Sequence, residues 1–208
     1  MDFLGFIFYE KSPRYVLNHL SLQEISKVKH QGKVGVFVNE SIEKIVEISQ
    51  KANLNFIQLH GDEDENFTVE LKKRLNPEIA MIKVIRIGAE KSEQIQKTIN
   101  QQPTIINYLL FDTDSIAFGG TGKQFDWNLL NEIEIPLPYF LSGGITLDSI
   151  HQLSTINQQP FSLDINSKFE IEPGVKNLNQ IERFKELYKV KIQKQFFENL
   201  QKNIKTKH

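Results

Sequence analysis

The chain has 208 residues, with 25 lysines and arginines against 26 aspartates and glutamates, so its formal net charge is −1 and it carries no nucleic-acid footprint. Zero cysteines exclude disulfides, thiolate metal sites and a cysteine catalyst among these residues. No apolar run approaches the roughly 20 residues that span a membrane, and no secretory signal opens the chain, so a single cytoplasmic domain is expected.

In chain order, short apolar runs alternate with helical patterns. The runs read as strands over Phe3–Phe8, Val34–Val38, Phe56–Leu59, Met81–Ile87, Ile105–Phe111, Tyr139–Leu141 and Phe161–Ile165. Their recurrence about every 20–30 residues is the rhythm of βα units in a parallel sheet. Between them, Ile42, Ile45, Val46 and Ser49 share one helical face, and Phe67, Leu71 and Leu75 follow at four-residue steps. The acids of Asp62–Glu65 suit the first turn of that second helix, and Pro77 stops it. Ile95 and Ile99 mark another helix, ended before Pro103. Beyond Phe184, a lysine-rich segment with Tyr188, Phe196, Leu200 and Ile204 at near-helical steps reads as an extension of the last helix.

The stretch LLFDTDSIAFGGTGKQFDW, from Leu109 to Trp127, stands apart. Its apolar run ends abruptly in Asp112, and a loop with Gly119, Gly120 and Gly122 leads to Phe125-Asp126-Trp127, which opens the next helix. An acid at the carboxyl end of a buried strand, beside a glycine-rich loop, is how α/β barrels build sites for anionic substrates. The simpler alternative is that Asp112 orders its own loop and the glycines only turn the chain. Aspartate is depleted in strands and costly to bury unpaired, which favours the functional reading.

This stretch closely resembles the phosphoribosylanthranilate isomerase family of tryptophan biosynthesis. Further segments resemble the same family in the same order: FLGFIFYEKSPRYV, VGVFVNE, IQLHGDE, LSGGI and LDINSKFEIEPGVKN. The resemblance runs from the first residues to about Phe184. It implies an α/β fold, the (β/α)8 TIM barrel, here with seven strands because the family's first βα unit is missing. Residues 1–184 would form the barrel and 185–208 a helical extension.

The activity implied is the Amadori rearrangement of N-(5-phosphoribosyl)anthranilate to 1-(2-carboxyphenylamino)-1-deoxyribulose 5-phosphate. It needs an acid to protonate the furanose oxygen and a base to remove a proton from the neighbouring sugar carbon. No redox step occurs, so neither cofactor nor metal is expected. Asp112 matches the family's general acid. The family's base is a cysteine in a Lys-Ile-Cys-Gly motif on the opening strand, which this chain lacks, so very little turnover by the chain alone is expected. The alternatives are a non-catalytic phosphosugar-binding barrel, or a fragment that needs its first βα unit supplied. Asp164 is the best internal substitute by position, although its family counterpart contacts substrate. Arg14 matches the residue that pairs with the anthranilate carboxylate, while Gln58 and His60 match positions near the substrate. Gly143, Gly144, Asn166 and Ser167 would hold the phosphate after the last strands. Lys168 stands where the family commonly has a small residue. The expected partner is this phosphorylated small molecule, with no nucleic acid, no membrane, and a monomeric state.

Overall fold

The computed structural model describes residues 2–114 and 124–190. The glycine-rich loop at Gly119–Lys123 and the tail after Val190 lie outside the described residues. Seven strands form one parallel sheet in sequential order: β1 Leu4–Ile7, β2 Lys33–Phe37, β3 Phe56–Leu59, β4 Ala80–Ile87, β5 Tyr108–Thr113, β6 Tyr139–Leu141 and β7 Ser162–Leu163. Among the described residues β1 and β7 pair only inward, with β2 and β6. Their amino ends are nevertheless brought together, because the rings of Phe3 and Phe161 lie 6.1 Å apart. The sheet is therefore curled towards a barrel.

Helices α1 Leu22–Lys27, α2 Ile42–Lys51, α3 Glu65–Arg74 and α4 Ser92–Asn100 return the chain between the first five strands. Local chemistry fixes their starts. Ser21 and Glu24 make a reciprocal capping box on α1, Ser41 accepts from the Lys44 N–H on α2, and Asp64 accepts from the Phe67 N–H on α3. The acids expected together in the first turn of α3 thus divide their work. Asp64 is the cap, Glu65 is in the first turn, and Asp62 and Glu63 precede the helix.

After β5 the connections shorten to 3₁₀ segments at Trp127–Asn131 and Asp148–Thr155. The helix expected to open at Phe125 is one of these, capped by the Asp126 carboxylate on the Asn128 N–H at 3.0 Å. β5 starts at Tyr108 rather than Ile105, since the preceding residues turn, with the Ile106 N–H donating to the Pro103 carbonyl. Past β7 an antiparallel hairpin, β8 Glu170–Glu172 and β9 Val175–Lys176, turns through Pro173-Gly174 with Gly174 at φ +90°. Residues 178–190 then form the final described helix. Phe184 packs against Phe169, and Tyr188 stacks on Phe184.

Strand alternation divides the side chains. Phe37, Ile57, Leu59, Met81, Ile85, Leu109 and Phe111 face the helices and join Ile45, Ile48, Leu71, Ile95 and Ile99 in the outer core. Val34, Ile82, Val84, Leu110 and Phe140 form a second, inner cluster with Phe3, Val36, Phe56 and Tyr108. Rings plug the amino-terminal end: Phe3 meets Phe56 at 5.2 Å and Phe140 at 5.0 Å, and Tyr108 meets Phe161 at 5.4 Å. That end also holds an open cleft of about 920 Å³, lined by Phe3, Phe161, Lys29 and His30 among others. The polar chemistry lies at the other end.

Candidate active site

Continuing the inner alternation upward from Tyr108 and Leu110 brings Asp112 to the carboxyl end of β5, facing inward. The same step carries β3 from Phe56 through Gln58 to His60. Pairing of Phe111 with Leu141, and of Leu141 with Leu163, puts Asp112, Ser142 and Asp164 on the next rung of three neighbouring strands. Backbone bonds hold that rung: the Ser142 N–H donates to the Phe111 carbonyl and the Asp164 N–H to the Leu141 carbonyl, both at 2.8 Å.

Around Asp112 the contacts are specific. Its Oδ1 accepts from the Thr113 N–H at 2.9 Å. Its Oδ2 lies 3.3 Å from His60 Nε2, with the two side chains only 11% and 12% exposed. The Gln58 amide nitrogen sits 3.0 Å from His60 Nδ1. Used as a donor there, it leaves Nε2 as the proton-bearing ring nitrogen turned towards Asp112. Burial first, and the Asp112 charge second, push the Asp164 carboxyl above the ordinary aspartate range, while His60 and Lys176 pull it down. Two carboxyl groups with a histidine beside them can hold and pass protons.

Gly143 closes the approach. It adopts φ +82°, and a Cβ there would lie 2.8 Å from the Thr113 nitrogen and 3.0 Å from Asp112 Oδ1. Gly144, at φ +72°, continues the same left-handed turn. Successive backbone N–H groups in such a turn suit an anion. Asn166 and Ser167 follow β7, with Ser167 opening a short 3₁₀ turn and Lys168 exposed on it.

Arg14, in the loop after β1, donates from Nε to Glu170 Oε2 at 2.8 Å, and its side chain is 13% exposed. Glu170 accepts from Lys176 Nζ at 2.8 Å on its other oxygen, and Lys176 also donates to Asn166 Oδ1. The structure therefore gathers Gln58, His60, Asp112, Asp164 and Gly143 into one group. A connected chain of bonds then joins Arg14 to Asn166 through two residues that the sequence reading did not single out, Glu170 and Lys176. The readable signal was Pro173-Gly174 between two short alternating runs, a hairpin pattern that puts Glu170 opposite Lys176.

A second unforeseen group supports the loop carrying His60. Glu63 accepts from the backbone N–H groups of Asn39 at 2.8 Å and Gly61 at 3.2 Å, and it pairs with Lys83. A lysine inside the apolar run MIKVIRI was the signal, since a charge in a buried strand needs a partner.

Comparison with known proteins gives the family. The family profile described as N-(5'phosphoribosyl)anthranilate (PRA) isomerase matches residues 1–186. The N-(5'-phosphoribosyl)anthranilate isomerase of Parabacteroides distasonis is 35% identical over 187 residues, covering 88% of this chain and 82% of that protein. The crystal structure of phosphoribosyl anthranilate isomerase from Thermotoga maritima is 30% identical, with a TM-score of 0.69 over 90% of this chain and 88% of the other. A crystal structure of a phosphoribosyl anthranilate isomerase in complex with reduced 1-(o-carboxyphenylamino)-1-deoxyribulose 5-phosphate is 27% identical, with a TM-score of 0.68 over 90% of this chain and 87% of the other. With the profile spanning all seven strands, this chain belongs to the N-(5'-phosphoribosyl)anthranilate isomerase family.

Proposed function

We propose that this chain carries the substrate-binding and proton-donating part of a phosphoribosylanthranilate isomerase, with Asp112 as the general acid. The observation that supports it most directly is Asp112 itself: an inward-facing carboxyl at the end of β5, between the Thr113 N–H and His60, with Gly143 close against it. A proton delivered to the furanose oxygen breaks the C1–O bond, and the anilino nitrogen lone pair forms the Schiff base. Loss of the proton on the adjacent carbon then gives an enolamine, which tautomerises to the ketone. Arg14 takes the anthranilate carboxylate through its guanidinium. Gln58 and His60 orient Asp112, Asp164 contacts the sugar, and Gly143, Gly144, Asn166 and Ser167 take the phosphate.

The family's base is a cysteine, and the 208 residues contain none. We therefore assign the second proton transfer to a βα unit carrying that cysteine, seated between β1 and β7, whose facing edges do not pair with each other among the described residues. Loss of substrate fluorescence tests this on three proteins: the chain alone, the chain preceded by a Lys-Ile-Cys-Gly-containing βα unit, and that longer protein with Asp112→Asn. Near-background, active and near-background rates are expected, since loss of one positioned proton-transfer group costs about 10²–10⁴-fold. Robust turnover by the chain alone refutes the missing base, and full activity of the Asp112→Asn protein removes Asp112 as acid.

Among the described residues no helix is long and apolar enough to cross a membrane. Separately, we propose a monomer in the cytoplasm; sedimentation of the purified chain checks the monomer, and cell fractionation checks the location. We also propose that the barrel unit ends near residue 184, with the last helix running on to Val190 among the described residues. Shortening the chain after Val190 should then leave its melting temperature unchanged.

A further inference from the structure

Glu170 is heavily bonded beside the proposed site. Its carboxylate is 4% exposed, yet it accepts from Arg14 Nε at 2.8 Å, Lys176 Nζ at 2.8 Å and the Gly174 N–H at 3.2 Å. These donors come from opposite ends of the chain, the loop after β1 and the hairpin after β7. Lys176 reaches further, to Asn166 Oδ1, in the loop proposed to take the phosphate. A buried carboxylate with this many donors is held rigidly, and it holds its donors rigidly in turn. Lys176 remains 37% exposed, so this cation also faces outward.

We infer that Glu170 is a positioning residue that couples recognition of the two anionic ends of the substrate. It fixes the Arg14 guanidinium for the carboxylate end and, through Lys176 and Asn166, the loop for the phosphate end. This deepens the assignment of Arg14 and Asn166 above and rests on it. Glu170 touches no reacting atom; it sets the spacing between two grips. A bifunctional anion that spans both grips gains from having them preorganised, because ordering them is not left to the binding step. A ligand with only one of the two groups gains from one arm.

The test measures dissociation constants of reduced 1-(o-carboxyphenylamino)-1-deoxyribulose 5-phosphate, anthranilate and inorganic phosphate on the wild-type chain, Glu170→Gln, Glu170→Asp, Lys176→Met and Arg14→Lys. Glu170→Gln should weaken the bifunctional ligand about 10–100-fold, the equivalent of one charge-assisted hydrogen bond. Glu170→Asp should recover part of that loss. Lys176→Met, at a half-exposed position that leaves Arg14 paired, should weaken phosphate but not anthranilate. In a double-mutant cycle, Arg14→Lys should cost less in the Glu170→Gln background than in wild type. Wild-type affinity in Glu170→Gln, or additive losses in the cycle, overturns the coupling while leaving the site assignment standing. A wild-type chain that binds none of the three ligands overturns both.

Discussion

Lys83 and Glu63 form an ion pair with Nζ 3.1 Å from Oε2, and their side chains are only 10% and 2% exposed. The pair is also bonded into the backbone, since Lys83 donates to the carbonyls of Gly61 and Glu63 and Glu63 accepts from Asn39 and Gly61. Removing one member leaves the other charge buried alone. Glu63→Ala should destabilise the protein by about 3–5 kcal/mol in urea unfolding. Glu63→Gln, which keeps the shape and an acceptor, should cost less. A loss under about 1 kcal/mol for Glu63→Ala would show that water reaches Lys83.

Gly143 leaves no room for a side chain between Thr113 and Asp112, and its φ of +82° adds strain for any other residue. In Gly143→Ala either the Asp112 carboxyl or the loop must shift. Stability should fall by about 1–3 kcal/mol, and binding of the reduced product analogue should weaken. Unchanged binding in a destabilised Gly143→Ala would confine the role of this glycine to the fold.

Asp164 gives a pH signature. Its folded-state carboxyl is pushed above the ordinary 3.8, by burial first and the Asp112 charge second. A raised acid favours the folded state while protonated, so that contribution is present below the ordinary value and is lost as pH rises through the folded value. Asp164→Asn, which cannot ionise, should therefore gain stability relative to wild type as pH increases from about 4 towards neutrality. Parallel curves for the two proteins would place Asp164 in water.

Lys33 gives the basic counterpart. Its side chain donates to the Ala52 carbonyl at 2.9 Å and to the carbonyls of Ile25 and Ser26 at 3.4 Å, at the ends of α2 and α1, with no carboxylate among these partners. Burial pushes its ammonium below the ordinary 10.5. The unfolded chain then binds the extra proton between the folded value and 10.5, so stability rises with pH in that window. Lys33→Met should lose the carbonyl caps, costing about 1–3 kcal/mol at pH 7, and it should lack that rise.

Glu170 is the reverse of Asp164. Burial works to raise its carboxyl, but hydrogen bonds from Lys176 and Arg14 outweigh it and hold the group below the ordinary 4.5. Its contribution is present above that value and lost as pH falls through the folded one. Glu170→Gln and wild type should therefore converge in stability at low pH.

Most strand positions were legible because the runs are apolar on both faces, as a parallel sheet covered by helices requires, whereas Phe161–Ile165 puts Ser162 and Asp164 on one face. Phe56–Leu59 and Tyr139–Leu141 match residue for residue, while Phe161–Ile165 keeps ladder pairing only at Ser162 and Leu163. Asp112 and Gly143 could be picked out as candidates because an acid ending an apolar run, and paired glycines after one, stand out against the strand pattern. Glu63, Lys83, Glu170 and Lys176 left fainter signals, a lysine inside an apolar run and a hairpin pattern, and these do not name the partners that lie 20, 20, 156 and 10 residues away. One-dimensional spacing does not encode such pairings, and an isolated charge in sequence looks like surface.

The shared rung of Asp112, Ser142 and Asp164 has a consequence for how this scaffold can change. Inward and outward positions alternate with a period of two, so one residue inserted within β5 or β7 would turn its acid out against the helices. Residues added to the connecting segments would leave that parity untouched. The strands therefore act as counters and the connections as slack. Natural or engineered variation in length should accumulate in the connections and stop short of Tyr108–Thr113 and Ser162–Leu163.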